Sequence, residues 1–202
     1  MESSEKTTTK ASTTNTLQRR AVRVLFATQL LFFLALAWCI FLQHGYNAVS
    51  AGISYFGVSH RTIFFAVVGY VIAAVGLWRA SRLFREGGLD PLLALGLKLV
   101  AAMLLILLAT PYTGGTFLNW THMSVGVVGA LVQLAISFAL LRRTLSFFAV
   151  AGVAIQLAGG IIGALSLPDW KFQILMYGEL VFELGFSLVL FQWTRYMVDR
   201  AT

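Results

Sequence analysis

The side chains of this chain that could do chemistry are four ionisable residues within long apolar runs. They are Lys98, His122, Glu179 and Glu183. An isolated charge in an apolar environment is strongly destabilised unless it is paired, neutralised or hydrated, so ionisable groups are rare in such runs. Glu179 and Glu183 are four residues apart, so a helix would place both carboxyls on one face. The sequence therefore predicts a polar site within an apolar framework, whose position depends on the elements that carry these residues.

The composition of the chain is that of an integral membrane protein. Its 202 residues are 58% hydrophobic and 11% charged, with a mean hydropathy of +0.81, whereas soluble domains carry about 25% charged residues. Apolar runs of about 20 residues, the length that crosses a bilayer as a helix, recur along the chain. They cover residues 23–43, 62–82, 91–110, 119–141, 146–167 and 171–195. The predicted fold class is all-α, a polytopic transmembrane six-helix bundle.

The basic residues fall mainly on one side of the predicted bundle. That side has Lys6, Lys10, Arg19, Arg20, Arg23, Arg79, Arg82, Arg85, Arg142, Arg143, Arg195 and Arg200. The other side has only Arg61 and Lys171. This positive-inside pattern predicts that the N and C termini are both cytoplasmic. It also accounts for the net charge of +7 without nucleic acid as a partner.

Two domain ranges follow from this organisation. Residues 1–21 are rich in Ser, Thr and Lys and offer almost nothing to bury, which predicts a disordered cytoplasmic N-terminal tail. Residues 22–198 form the six-helix transmembrane domain. Within it, Gly159, Gly160 and Gly163 of the GGIIG segment predict close helix packing. We expect span 146–167 to be the central helix for this reason.

The helical rise of 1.5 Å per residue gives the depth of each ionisable group. Glu179 is expected roughly 12 Å and Glu183 roughly 18 Å below the outer face, and Lys98 roughly 10 Å from the inner face. Lys98 could pair with Glu183 or extend its ammonium group to the inner headgroups. His122 is one turn inside the outer end of its span and could approach Glu179. The sequence predicts that His122, Glu179 and Glu183 bind a polar headgroup or relay protons; alternatively, they only bond the helices together.

The connection between the first two spans, HGYNAVSAGISYFGVSHR at residues 44–61, is long, nearly uncharged and rich in aromatic residues. Its glycines would turn the chain, and its aromatic residues would hold it at the headgroup level. We predict a folded cap over the outer mouth of the bundle, which closes the pocket of His122 and Glu179. Its candidate residues are His44, Ser54, Tyr55, Gly57, His60 and Arg61.

The chain lacks the residue sets that catalysis or metal binding needs. It has no HExxH, GxSxG or P-loop motif and no paired CxxC, and Cys39 is its one cysteine. No catalytic residue, metal site or cofactor is predicted, and an enzyme is not expected.

Three segments resemble one known family. They are NAVSAGISYFGVSHR before the second span, THMSVGVVGALVQLAISF in the fourth and YGELVFELGFSLVLFQW in the sixth. Together they are similar to the bacterial six-helix membrane family called domain of unknown function 998, which is distantly similar to eukaryotic Frag/DRAM/Sfk membrane proteins linked to lipid handling. The matching positions are Ser54, Gly57, His122, Gly178, Glu183 and Trp193. Leu184 stands where the family has a basic residue. The resemblance implies a bacterial inner (plasma) membrane location and assigns no activity.

The predicted function is that of a non-enzymatic integral membrane protein whose outer-leaflet polar pocket binds or senses a lipid or a small amphiphile. Two alternatives stay open: a proton-coupled transporter or permease subunit, and a structural or assembly subunit of a membrane complex. The expected partners are membrane lipids, and a second copy of the chain or another membrane protein.

Overall fold

The computed structural model of the protein describes residues 2–88, 90–166 and 172–199. Within these ranges every regular element is helical. The elements are α1 (Glu2–Leu42), α2 (Tyr46–Ala51), a 3-10 turn (Ile53–Gly57), α3 (Ile63–Glu86), α4 (Pro91–Ala109), α5 (Thr116–Thr144), α6 (Phe147–Leu165) and α7 (Leu175–Asp199). The all-α class is thereby confirmed.

Six helices in the described part of the chain are long and apolar enough to cross a bilayer. They are α1, within which the apolar stretch is Thr16–Leu42, and α3 to α7. Their ends lie within four residues of the predicted spans, apart from the start of α1. The protein is therefore a multi-pass membrane protein by the length and composition of its helices.

The predicted N-terminal tail and the connection between the last two spans differ from the other segments in what the structure describes. Helix α1 begins at Glu2 and so includes residues 2–21 of the predicted N-terminal tail, whose disorder stays a prediction. Residues 167–171 lie outside the described residues. They include the end of the predicted span 146–167 and the start of the predicted span 171–195.

Helix α7 has the most neighbours in the bundle. It packs against α1, α5 and α6 and also contacts the segment between α1 and α3. Helix α6 packs mainly on α7 and less extensively on α5. The prediction that span 146–167 is the central helix is therefore wrong, because its glycines serve a single close interface.

At the interface between α6 and α7, glycines of one helix lie against glycines of the other. A methyl group added at Gly159 would lie 2.7 Å from the carbonyl oxygen of Gly178, and one added at Gly185 would lie 2.6 Å from that of Gly152. Backbones that approach this closely gain van der Waals contact, which matters because lipid supplies no hydrophobic force between helices. The predicted close packing of the glycine-rich span is confirmed.

Asp90 joins two helices at the end of the bundle opposite residues 44–61. Its carboxylate accepts hydrogen bonds of 3.1 Å from the backbone N–H groups of Leu92 and Leu93 and so caps α4. Its other oxygen forms an ion pair with Arg143 in the last turn of α5. Asp90 thus joins the start of α4 to the end of α5.

Candidate functional site

The predicted outer cap, residues 44–61, is folded onto the bundle. It contains α2 and the 3-10 turn, which contact both α7 and each other. Ile53 and Phe56 anchor it, since both are buried in one apolar cluster with Cys39, Ala66 and Met176. The Thr62 hydroxyl donates to the Phe56 carbonyl oxygen at 2.9 Å and fixes the end of the cap. The cap is therefore a packed element of the fold.

The cap covers Glu179 through its backbone. The N–H of Ile53 donates to Glu179 Oε2 at 2.5 Å. Gly52 lies directly against the same carboxylate, with φ +81° and ψ −175°, a combination that essentially only glycine adopts. A methyl group at Gly52 would lie 2.5 Å from Glu179 Oε2. Only glycine therefore satisfies both the backbone conformation and the close approach.

The cap also holds His122. The Nε2 atom of His122 lies 2.7 Å from the hydroxyl oxygen of Ser54, and Nδ1 lies 2.7 Å from the carbonyl oxygen of Thr110. A carbonyl oxygen can only accept, so Nδ1 carries the hydrogen. In the neutral ring Nε2 then accepts the hydrogen bond of the Ser54 hydroxyl. Both ring nitrogens are thus engaged, one by the cap and one by the end of α4.

A small pocket of about 30 Å³ adjoins His122 beneath the cap. Its polar groups come from Ser54, Tyr70, Tyr112 and His122, whereas Glu179 does not line it. Tyr112 lies in the connection between α4 and α5. Burial and the neighbouring Tyr55 raise its pKa, so its hydroxyl keeps its proton. A volume of this size admits about two water molecules.

Glu183 has a different environment from Glu179. Its Oε1 accepts a 2.9 Å hydrogen bond from the side-chain amide of Gln133 on α5. Among the described residues, neither glutamate forms an ion pair with a basic side chain. The two carboxyls share a helix face but are held by separate partners.

Lys98 is not part of this site. Its ammonium lies 4.7 Å from the centre of the Trp78 ring, a cation–π contact, and its side chain is exposed on the outside of the bundle. The structure therefore does not pair Lys98 with Glu183.

The other predicted cap residues lie around the rim or support the cap. His44, His60 and Arg61 are exposed. The Tyr55 hydroxyl accepts a 2.9 Å hydrogen bond from the side-chain amide of Gln43 at the end of α1. Gly57 lines the pocket, and nothing lies within 4 Å of a methyl group placed there.

The sequence analysis missed the buried uncharged polar groups. Gln133, Ser137 and Gln156 are buried within apolar helices, and each has a side-chain atom without a hydrogen-bond partner. The sequence does contain a signal for them, because Gln133 and Ser137 stand one helical turn apart on α5. Neither residue carries a charge, so neither is marked by the cost of placing an ionisable group in an apolar run.

Comparison of the chain with protein-family models, curated proteins and solved structures finds no match. The resemblance to the domain of unknown function 998 family therefore stays a prediction, and any function must be argued from the geometry of the site.

Proposed function

We propose that the protein is a non-enzymatic membrane protein that binds the headgroup of a lipid or small amphiphile at the outer pocket beneath the cap. The observation that carries the proposal is the pairing of two adjacent cap residues with two polar groups of the bundle. The backbone N–H of Ile53 meets Glu179, and the hydroxyl of Ser54 meets His122. Displacement of this one dipeptide would free a carboxylate and an imidazole together.

The closed cap supports a ligand-exchange role. Ligand pockets for drug-sized molecules occupy about 300–1,000 Å³, and the pocket beside His122 has a volume of only about 30 Å³. A headgroup can enter only if the cap moves and its own hydrogen bonds are replaced. A suitable headgroup supplies a hydrogen-bond donor to Glu179 and a hydroxyl or acidic oxygen to His122. The cap residues occupy the positions of these ligand groups in the closed form.

The position of the pocket supports a membrane-derived ligand. The cap joins the ends of α1 and α3, and the positive-inside pattern assigns this end to the outer face of the membrane. Polar atoms at that depth meet lipid headgroups, while the surrounding helices expose large apolar side chains to acyl chains. The same topology leads us to propose cytoplasmic termini and a bacterial plasma-membrane location.

The test is mass spectrometry of the lipids that co-purify with the full-length protein. We expect one lipid class to be enriched over the host membrane with the wild type, and at least tenfold less of it with His122→Ala and Glu179→Gln. His60→Ala is the matched control, since it removes an exposed histidine of the same cap. Enrichment that is unchanged in all variants, or no enrichment with the wild type, would contradict the proposal.

A proton-coupled permease subunit is the second candidate. It is favoured by Glu179 and Glu183 lying one turn apart without a basic partner among the described residues, because unpaired acidic groups in membrane helices often mark proton pathways. Proteoliposomes with an internal pH dye test it. Proton uptake that is lost in Glu183→Gln would favour this candidate over amphiphile binding alone.

The third alternative is an assembly subunit whose glycine-rich helix faces would bind partner helices. The glycines at positions 152, 159 and 163 of α6 already face α7 of the same chain. They therefore give no reason to expect a partner helix at that face.

A further inference from the structure

A second small cavity lies among the helices of the bundle, and no cap residue lines it. It has a volume of about 20 Å³ and is lined by residues of α1, α3, α4, α5 and α7. A cavity of this size holds about one water molecule. Cavities lined only by apolar groups stay dry, but this one has a polar side formed by Thr28, Gln29, Gln133 and Glu183.

The polar side is rich in oxygen atoms that can accept. Gln133 is 6% exposed and its Oε1 atom has no hydrogen-bond partner. Glu183 uses Oε1 for the amide of Gln133, which leaves the second carboxylate oxygen available. Thr28 donates its hydroxyl hydrogen to the Val24 carbonyl oxygen at 2.6 Å, so its own oxygen keeps its acceptor capacity. Gln29 Oε1 accepts from the Ser187 hydroxyl at 2.7 Å and can accept once more.

The carboxyl group at this cavity has no basic partner in the described part of the chain. Among the described residues no basic side chain forms an ion pair with Glu183, and Lys98 is engaged with Trp78. The nearest acid on α7 is Glu179, which faces the N–H of Ile53. When Glu183 is ionised, a positive partner in the cavity stabilises its carboxylate. That partner must fit the space of one water molecule and prefer oxygen ligands.

We propose that this cavity binds a single monovalent alkali cation through Glu183, Gln133, Gln29 and Thr28. Hard cations prefer carboxylate, carbonyl and hydroxyl oxygens. One carboxylate matches one positive charge, and the described residues include no cluster of three His, Cys, Asp or Glu that could hold a metal ion, so a divalent ion lacks the negative charge it would need. Na⁺ is smaller than a water molecule and K⁺ is close to it in size, so both can be tested.

The first measurement is the thermal stability of the purified full-length protein in nanodiscs at fixed pH and ionic strength. NaCl or KCl replaces N-methylglucamine chloride stepwise. A ligand that binds only the folded state raises Tm with its concentration. We expect a saturable rise of about 3–6 °C at a cation concentration about ten times Kd.

The second measurement uses variants with a matched control. We expect the Tm of Glu183→Gln and of Gln133→Leu to no longer rise with cation concentration. Gln156→Leu should keep it, because Gln156 is an equally buried glutamine whose amide does not line the cavity. Retention of the full rise in Glu183→Gln would overturn the proposal, as would its loss in Gln156→Leu.

Direct binding on the wild type covers the case in which a variant does not fold. Radioactive Na⁺ should bind the purified protein with a stoichiometry of about one per chain and be displaced by excess unlabelled cation. Equal Tm values in all salts together with no bound Na⁺ or K⁺ would mean that the cavity holds only water or a protonated carboxyl, and would overturn the proposal. Lipid enrichment at the outer pocket is measured separately, so either proposal can fail alone.

Discussion

Gly52 is the residue on which the closed cap depends most directly. Its backbone dihedrals are almost exclusive to glycine, and it lies where a side chain would meet the Glu179 carboxylate. A single methyl group at this position therefore acts on both the backbone conformation and the contact between the cap and α7.

We predict that Gly52→Ala destabilises the protein by at least about 2 kcal/mol, the sum of backbone strain and overpacking. This corresponds to a fall in Tm of about 4–8 °C for a chain of this size. Gly57→Ala is the control within the same cap, because its new methyl group meets nothing within 4 Å, and we expect a change below about 0.5 kcal/mol. Thermal unfolding in nanodiscs measures both. Equal Tm values for the two variants would show that the cap is not seated on Glu179.

Individual residues of the site differ in how far the sequence predicts them. His122 and Glu179 stand out in the sequence because charge within an apolar run is costly. That they are joined through Ile53 and Ser54 depends on how the cap turns, and no periodic pattern in the sequence specifies that turn. Gln133 carries no charge, so its bond to Glu183 becomes visible only in three dimensions.

At the scale of elements, the contact between α6 and α7 depends on which glycines face the partner backbone. Gly159 and Gly160 are adjacent, but a methyl group at Gly159 would meet the backbone of α7, with the Gly178 carbonyl oxygen at 2.7 Å. A methyl group at Gly160 would meet only the Phe182 ring, at 3.5 Å. The two positions thus provide a test and its control.

We predict that Gly159→Ala lowers stability by about 1–3 kcal/mol, since the helices must separate to admit the methyl group. Gly160→Ala should be neutral within about 0.5 kcal/mol. Chemical or thermal unfolding of the two variants in the same detergent measures the difference. If both variants have the same unfolding midpoint as the wild type, the helices are not in backbone contact at Gly159.

Asp90 combines two roles at the start of α4, and two substitutions separate them. Asp90→Ala removes the helix cap and the ion pair with Arg143, whereas Asp90→Asn keeps an oxygen for capping and removes the charge. Loss of the cap costs about 0.5–2 kcal/mol, so we expect Asp90→Ala to lower Tm by about 2–5 °C more than Asp90→Asn does. Equal shifts would mean that the ion pair accounts for the whole effect.

The sequence predicts the membrane-crossing elements well because bilayer thickness alone sets their length. The six apolar runs correspond to α1 and to α3–α7. The order of packing is not predictable in the same way. A glycine-rich helix such as α6 can serve one close interface or several, and only the matching glycines of α7 decide between these arrangements.

The distribution of basic residues over the whole molecule predicts one orientation in the membrane. The structure offers suitable positions to test it, because the one cysteine, Cys39, is fully buried and should not react with external reagents. His44 in the outer cap and Arg85 at the end of α3 are both exposed, and they lie at opposite ends of the bundle.

We predict that a membrane-impermeant maleimide added to intact cells labels His44→Cys and does not label Arg85→Cys. After lysis both should be labelled, because both side chains are exposed. The reason is that cytoplasmic connections carry the excess of Lys and Arg, and residues 79–85 carry three arginines. The wild type, whose Cys39 is enclosed, is the unlabelled control. Labelling of Arg85→Cys alone in intact cells would reverse the orientation and move the cap, with the pocket beneath it, to the cytoplasmic face.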